Sequence, residues 1–391
     1  MNIKRIPTII TLMIALVCTG AVSVYGLPEV KEVVSGDAEV QYVDSNTMQI
    51  NATDNTIINY NSFNIQENET VLISLPSNNS QILNRVLGNS ASQLNGDLNC
   101  NGVFILVNKS GIYVGPNANI DAASLVLSTR DITNSDFVDG NHLFKKLSKE
   151  EVDMLLLNEG TIKIQEGGFG VLIAGAVENK GKIIAPAGKI VLAGGDAIKL
   201  DISNKGLISV AILEEAASTI LDHEGRPVTE QIKNTGSLEA NGGAVILKAE
   251  SVTDVFRKAI NLDGYVTANR IEEKDGVIRI VADGEVNINA EVSATQINVG
   301  DPEGAVPEDV YIDGGEIEAE KEIEVIAQSN IVTNTNIKSN TSDVKLFADH
   351  DDDGAGSFTQ ESGVIEAAGE GDVYIDGSGE MTLGEVKTEL G

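Results

Sequence analysis

The chain has 391 residues, with 59 acidic and 27 basic side chains, and carries a formal net charge of −32. Because clustered Lys and Arg bind phosphates, this balance argues against a nucleic-acid partner and against attraction to an anionic membrane surface. Hydrophobic residues make up 42% of the chain and aromatic residues only 4%. This composition predicts an extended aliphatic core rather than an aromatic-lined ligand cleft.

The first 26 residues have the features of a secretory signal peptide. Lys4 and Arg5 precede an apolar segment at 9–17, and small residues follow as far as Gly26. This segment is shorter than the roughly 20 apolar residues of a membrane helix, and no later segment approaches that length. We therefore expect an exported mature chain without a transmembrane segment. Its one remaining cysteine, Cys100, is predicted to be a small buried hydrophobe.

The N-terminal third contains a series of ordered motifs. They are LPEVKEVVSGDAEV at 27–40, IINYNSFNIQENETVLISLP at 57–76 and ILNRVLGNSASQLNGDLNCNGVFILVNKSGIYVGPNANIDAASLVLSTRDI at 82–132. One segment after them, 143–157, is predicted to be a helix, because Ser148 and Glu151 have the spacing of a capping box. We expect this helix to be a surface excursion.

A repeat begins at residue 158. Asn-x-Gly opens short strands at 158–164, 179–185, 204–210 and 234–240, and a Gly-rich aliphatic phrase lies between them at 167–174, 187–193 and 242–249. Self-similarity at 20 to 30 residues with several short strands per repeat is typical of a parallel β-helix. Alternate Ile, Val and Leu would face its interior, and Asn and Gly would form its corners. A β-branched residue at Gly181 or Gly206 would then strain a corner by about 1–3 kcal/mol.

Acidic residues alternate with apolar ones in the later segments 285–294 and 315–327. This period of two predicts strands with one face inward and one face in solvent. The carboxylates are then expected on the outside, where they prevent edge-to-edge pairing with other chains.

An acidic loop lies near the C-terminus. Asp349, Asp351 and Asp353, followed by Gly354, have the spacing that opens a calcium loop. Gln360 occupies the position where a bidentate Glu would complete that loop. The sequence therefore leaves two interpretations open, a weak calcium site with a dissociation constant of about 10⁻⁴–10⁻³ M or a solvated Asp-rich turn. It indicates no other cofactor.

The motifs at 27–132, with DFVDGNHLF at 136–144 and the repeats after it, closely resemble the filamentous-haemagglutinin-like N-terminal domain of two-partner secretion exoproteins, the haemagglutination activity domain family. The resemblance covers roughly 27–290 and implies an all-β fold. That fold is a right-handed parallel β-helix with small extra-helical β elements and an N-terminal cap. It also implies that a dedicated outer-membrane β-barrel transporter recognises the domain in the periplasm and exports the unfolded exoprotein to the cell surface.

The expected organisation is a signal peptide at 1–26, the secretion domain at 27–290, and further acidic solenoid repeats at 291–391. The last part would be either a truncated piece of a longer exoprotein or the end of an unusually short one.

The resemblance also suggests residues for secretion and transporter recognition. Asn108, Gly111 and Ile112 match the family's Asn-Pro-Asn-Gly-Ile turn, whereas Lys109 and Ser110 depart from it.

A second element of the family matches further upstream. Asn84 and Arg85 belong to its Leu-Asn-Arg-Val phrase, and Tyr60 stands where the family commonly has Trp. The alternative interpretation of all these positions is that they are corner and cap residues of the first coils, without direct contact to the transporter.

The resemblance implies a non-catalytic, haemagglutinin-like adhesin with an unknown surface or host receptor. The alternative is an extracellular β-helical lyase or hydrolase, because that solenoid also hosts such enzymes. Glycosidase chemistry needs two carboxylates about 5–10 Å apart in a cleft, and no pair stands out here. A cleft with paired carboxylates on the solenoid's flank would favour the enzyme.

Overall fold

In a computed structural model, residues 26–148, 152–202, 208–252, 255–270 and 275–389 are described. Residues 1–25 of the predicted signal peptide lie outside the described residues. Nearly all regular structure is β, and most strands stack in parallel on the strand one coil earlier. The predicted all-β parallel β-helix is confirmed.

Three stacks of parallel strands form the three faces of the β-helix. Face 1 contains β3 (Thr47–Ala52), β5 (Thr70–Ser74), β8 (Asp97–Val107), β10 (Asn119–Ser128), β14 (Thr161–Ile164), β17 (Lys182–Ile184), β23 (Ser237–Glu239), β26 (Tyr265–Ala268), β29 (Glu291–Ala294), β32 (Glu316–Ala319), β35 (Asn336–Ser339), β38 (Val364–Ala367) and β41 (Glu385–Thr388). Face 2 contains β4 (Thr56–Ser62), β6 (Gln81–Val86), the second halves of β8 and β10, β15 (Phe169–Ala174), β18 (Lys189–Gly194), β24 (Ala244–Ala249), β27 (Val277–Ala282), β30 (Gln296–Val299), β33 (Ile323–Ile326), β36 (Val344–Phe347) and β39 (Val373–Asp376). Face 3 contains β7 (Ser92–Leu94), β9 (Ile112–Val114), β13 (Leu156–Asn158), β16 (Val177–Asn179), β22 (Glu230–Asn234), β25 (Lys258–Leu262), β28 (Val286–Ile288), β31 (Val310–Ile312), β34 (Ile331–Thr333), β37 (Phe358–Gln360) and β40 (Met381–Thr382).

An antiparallel cap covers the first coil. Strand β1 (Glu29–Ser35) pairs antiparallel with β4, and β2 (Ala38–Tyr42) pairs antiparallel with β3. The cap occupies the exposed edge of the first coil, which would otherwise pair with another chain.

Parallel stacking in register places like side chains on one another along the interior. On face 1 a single inward column runs through Val71, Leu98, Ile120, Ile162, Ile183, Leu238, Val266, Val292, Ile317, Ile337 and Ile365. All of these side chains are buried. Cys100 also lies in this core, and burial raises the pKa of its thiol to about 11, which leaves it protonated and unreactive.

The acidic segments lie as predicted. In β32, Ile317 is buried whereas Glu316 is exposed and Glu318 is half-buried. The three faces continue through these coils to β41. No helix among the described residues is long and apolar enough to cross a membrane.

The Asn-x-Gly repeat forms a buried amide ladder at one corner. The Asn158 side-chain amide donates to the Asn179 carbonyl oxygen at 2.7 Å, and the Asn179 amide donates to Asn234 in the same way at 2.7 Å. The equivalent position in the next coil is Leu262, which ends the ladder.

The prediction of a coil strand at 204–210 was wrong. Residues 203–207 lie outside the described part, and β20 (Ile208–Glu214) after them pairs antiparallel with β19 (Ala197–Ile202). The ladder therefore passes directly from Asn179 to Asn234, across 55 residues. The Asn-x-Gly signal is local and does not show whether the strand after it joins the coil.

The predicted helix at 143–157 was also wrong. Residues 149–151, with the expected cap residue Glu151, lie outside the described part, and the rest of the segment contains β11 (His142–Lys145), β12 (Asp153–Met154) and β13. Leu156 faces the interior while Leu155 and Leu157 pack on the outside against Ala176 and Ile220. A strand buried on both faces has a continuous apolar run, which resembles a helix segment in sequence. Among the described residues, a short helix forms upstream instead, α1 (Asn134–Val138).

An extra-helical sheet covers part of face 2. It consists of β11, β19 and β20 in antiparallel order. Outward side chains of face 2 pack beneath it against Phe144, Ile198 and Leu200, and they include Ile105, Val126, Val171 and Val191. Face 2 is therefore apolar on both sides in these coils.

A buried ion cluster holds the excursions to the solenoid. Arg130 forms two hydrogen bonds to the Asp153 carboxylate, at 2.8 and 2.7 Å, and one to Asp196 at 2.9 Å. Lys146 lies 3.3 Å from Asp153. Burial raises the pKa of Asp153, but the hydrogen bonds and charge of Arg130, with Lys146, outweigh it, so the net pKa is lower than usual. The cluster joins the end of β10 to β12, which pairs with β21 (Ile220–Leu221), and to the segment that precedes β19.

Gly181 is constrained by a close approach, not by a left-handed backbone. A Cβ at Gly181 would lie 2.1 Å from the backbone oxygen of Gly160 in the preceding coil, whereas a Cβ at Gly314 would meet nothing closer than 3.7 Å. We expect Gly181→Ala to lower the free energy of unfolding by about 1–3 kcal/mol, because two coils must separate. Gly314→Ala should change it by less than about 0.5 kcal/mol. Urea unfolding measures both, and equal effects would contradict the close-approach explanation.

Removing Arg130 should leave two carboxylates buried without their partner. We expect Arg130→Met to cost about 3–5 kcal/mol of unfolding free energy in urea titrations. The matched control is Lys199→Met, whose ion pair with Asp201 at 3.6 Å is largely exposed and should contribute less than about 1 kcal/mol. A loss at Arg130 no larger than that at Lys199 would show that the cluster does not hold the excursions.

Candidate secretion site in the first coils

Asn84 lies inside the second coil, on β6. Its carbonyl oxygen accepts a hydrogen bond from the Tyr60 hydroxyl at 2.9 Å, and its amide donates to the Ile105 carbonyl at 3.2 Å. Burial raises the pKa of Tyr60, so the hydroxyl keeps its proton and remains a donor. Tyr60 packs edge-on against Phe63, with ring centroids 5.0 Å apart. The position where the family has Trp is thus an interior aromatic contact of the first coil.

Arg85 points the other way, out of face 2, and is still covered. Its Nε lies 2.8 Å from Asp131, its Nη1 donates to Asn134 at 2.7 Å, and its Nη2 donates to the Ile132 carbonyl. The side chain is therefore fully engaged, and only 9% of Arg85 is exposed. Arg85 fixes the segment that leads into α1 against the second coil. No local pattern identifies these partners, because they lie 46 to 49 residues away in sequence.

Asn108 organises the turn between β8 and β9. Its side-chain oxygen accepts from the Ser110 backbone N–H at 2.9 Å, and its amide donates to the Ser90 carbonyl and the Ser92 hydroxyl, both at 3.0 Å. Gly111 follows with a φ of +109°, a value that a side chain tolerates poorly. The turn thus forms without the family's proline, and the serine at the third position supplies the backbone N–H.

The structure brings these residues into adjacent coils but leaves them covered. Ile112 is buried in face 3, Asn84 and Asn108 are fully buried, and Arg85 is nearly so. In the folded chain Asn108 and Gly111 form a corner of the first coils, whereas Asn84, Arg85 and Ile112 lie on strands. A transporter could contact them directly only before the coils close.

A cavity of about 600 Å³ lies between face 2 and the extra-helical sheet. Its polar lining includes Asn78, Gln81, His142 and Glu166, and Glu166 is the one carboxylate among the described lining residues. Burial lowers the pKa of His142, which keeps the ring neutral, and its Nε2 lies 3.2 Å from Gln81. The paired carboxylates of a glycosidase are therefore not present in this cavity.

Two carboxyls with raised pKa values lie outside that cavity. Burial raises the pKa of Asp283 to about 6, and the negative charges of Glu250 and Glu215 add to this rise. Hydrogen bonds from backbone N–H groups lower the pKa but do not offset the rise. The backbone N–H of Ser251 donates to Asp283 at 3.2 Å. Burial also raises the pKa of Glu250. These groups lie at the coil corners that follow β24 and β27.

The comparisons with known proteins agree with this architecture. The family model of the TPS secretion domain matches residues 27–293. A heme/hemopexin-binding protein of Haemophilus influenzae strain Rd is 30% identical over 288 residues, which are 72% of this chain and 30% of that protein. A second heme/hemopexin-binding protein of Haemophilus influenzae is 26% identical over 308 residues, 73% of this chain and 32% of that protein. The chain thus spans about a third of the length of these relatives.

Solved structures include one that is similar in fold over most of the chain. The crystal structure of the HMW1 secretion domain from Haemophilus influenzae matches with a TM-score of 0.61 and 24% identity, and the match covers 93% of this chain and all of that one. At this identity the likeness concerns the fold. The family match covers most of the described coils, and the chain therefore belongs to the family of two-partner secretion exoproteins that carry a TPS secretion domain, which are exported across the outer membrane through a partner transporter.

Proposed function

We propose that this chain is the secretion-directing part of a non-catalytic, surface-exposed exoprotein of the adhesin type. Its first coils direct export, and its acidic coils form a rod that reaches out from the cell. The outward carboxylates of the later coils support this proposal, because they keep a long solenoid from pairing with its neighbours. With a net charge of −32, the rod is expected to bind no nucleic acid.

The relatives' names give no receptor for this chain. The relatives are named for heme or hemopexin binding, but the match covers only 30% and 32% of their length. That binding is therefore not transferred to this chain. We propose instead that the exoprotein adheres to an unknown surface or host receptor. The predicted signal peptide at 1–26 would direct its entry into the periplasm.

The residues matched to the secretion motifs are all buried in the folded coils. Asn84, Arg85, Asn108, Gly111 and Ile112 are all covered in the folded coils. We propose that the transporter recognises them in the unfolded chain, before the coils close, and that the same residues then hold the strands and the turn of the first coils together outside the cell. Their two roles are separated in time by folding.

The test is export in a cell that carries the partner transporter. We expect wild-type chain in the medium only when the transporter is present. Asn108→Ala should lower the exported amount at least tenfold, because both the oxygen and the nitrogen of the Asn108 side-chain amide form hydrogen bonds in the turn. The matched control is Asn117→Ala, an exposed asparagine of the following corner whose amide donates to Glu67, which should be exported normally. Release that depends neither on the transporter nor on Asn108 would overturn the secretion function.

Recognition is separated from folding by a capture measurement. The full chain is unfolded in urea and diluted onto immobilised transporter in detergent. We expect the Asn108→Ala chain to be captured more weakly than wild type, and the Asn117→Ala chain to be captured equally. Equal capture of all three chains, with export still lost for Asn108→Ala, would leave the residue a folding role only.

A further inference from the structure

The acidic loop at 348–357 joins β36 to β37 at the corner between faces 2 and 3. One carboxylate oxygen from each of Asp349, Asp351 and Asp353 lies within 4.8 Å of the others. The loop is held by hydrogen bonds to the same carboxylates: Asp349 accepts from the Gly354 N–H at 3.2 Å, and Asp353 accepts from the Ala355 N–H at 2.8 Å. The three groups thus converge on one small volume.

Asp349 supplies the observation that points to a ligand. Only 5% of this residue is exposed, and Gly356 packs so closely against it that a Cβ there would lie 2.4 Å from the Asp349 Cβ. Its second carboxylate oxygen, Oδ2, is buried and makes no hydrogen bond of good geometry. An ionised oxygen that is buried without a partner costs several kcal/mol. Such an oxygen calls for a positive group.

The described chain provides no such group. Among the described residues no lysine or arginine forms an ion pair with Asp349, Asp351 or Asp353, although Lys345 and Lys387 in neighbouring coils pair with other acids. Three carboxylates at this spacing repel one another unless a cation lies between them. The Ser378 hydroxyl of the following coil donates a hydrogen bond to the Asp349 carboxylate, but a hydroxyl carries no positive charge.

We propose that Asp349, Asp351 and Asp353 bind one calcium ion. The donors are all oxygens, which hard cations prefer over transition metals. An irregular loop suits the flexible coordination of calcium better than the strict octahedron of magnesium. The ion would compensate the buried oxygen of Asp349 and hold the corner between two coils.

Gln360 does not belong to this site. Its amide donates to the carbonyls of Gly363 and Glu385, and its oxygen accepts from the Gly384 N–H at 2.9 Å. All of its polar atoms therefore serve the interior of the next coil. Without a bidentate ligand at that position, the ion must complete its shell with water, and we expect a dissociation constant of about 10⁻⁴–10⁻³ M.

Calcium binding to the secreted full chain is measured by equilibrium dialysis. Divalent ions are first removed with EGTA, and the chain is then dialysed against labelled calcium up to 10 mM. We expect one saturable site, and Asp351→Asn should weaken it at least tenfold. The matched control is Asp352→Asn, which removes the same charge from the exposed neighbour that lies outside the cluster. It should change the affinity less than twofold.

A second readout uses thermal unfolding, because an ion that binds only the folded chain raises the midpoint. Calcium at 5 mM should raise the midpoint of wild type and of Asp352→Asn, and should not raise that of Asp351→Asn. The same concentration of magnesium should have little effect. An equal loss of calcium affinity in the two variants would show diffuse attraction to a polyanion and would overturn the site. Binding to wild type that does not saturate, or equal effects of magnesium and calcium on the midpoint, would overturn it as well.

Discussion

In-register parallel stacking of the coils governs both the core and the corners of this fold. Each residue of a coil lies on its counterpart one coil earlier, so an aliphatic column such as Ile162, Ile183 and Leu238 repeats a single contact along the rod. The same rule applies to polar groups. Asn158, Asn179 and Asn234 are buried without penalty because each amide is paired with the next. Stability is therefore nearly a sum of contacts between neighbouring coils.

Stacking also limits what the corners can contain. Where two backbones approach, as at Gly160 and Gly181, no side chain fits. Where the chain leaves the stack, something else must cover the strands it exposes. The extra-helical sheet covers the apolar outer side of face 2, and Arg130 with its two carboxylates attaches the excursions to the coil. The acidic loop at Asp349 is another corner where a polar group is enclosed by the next coil.

The residues matched to the secretion motifs are covered in the folded first coils. The proposed recognition by the transporter therefore belongs to the chain before its coils stack. The antiparallel cap of β1 and β2 closes the exposed edge of the first coil. Carboxylates on the exterior of the later coils disfavour association with other copies.

Local sequence patterns were enough to predict the solenoid, its coil corners at Asn and Gly, the buried Cys100 and the outward carboxylates, because alternation and turn chemistry are local properties. The folded structure was needed to show which Asn joins the ladder, since the Asn-x-Gly at 204 has the same local signal as those at 158 and 179. It also decided that the apolar run at 155–157 is a strand covered on both sides. Arg130 meets Asp153 and Asp196 across 23 and 66 residues. Contacts at such distances depend on where the chain leaves the stack, and no local pattern specifies that.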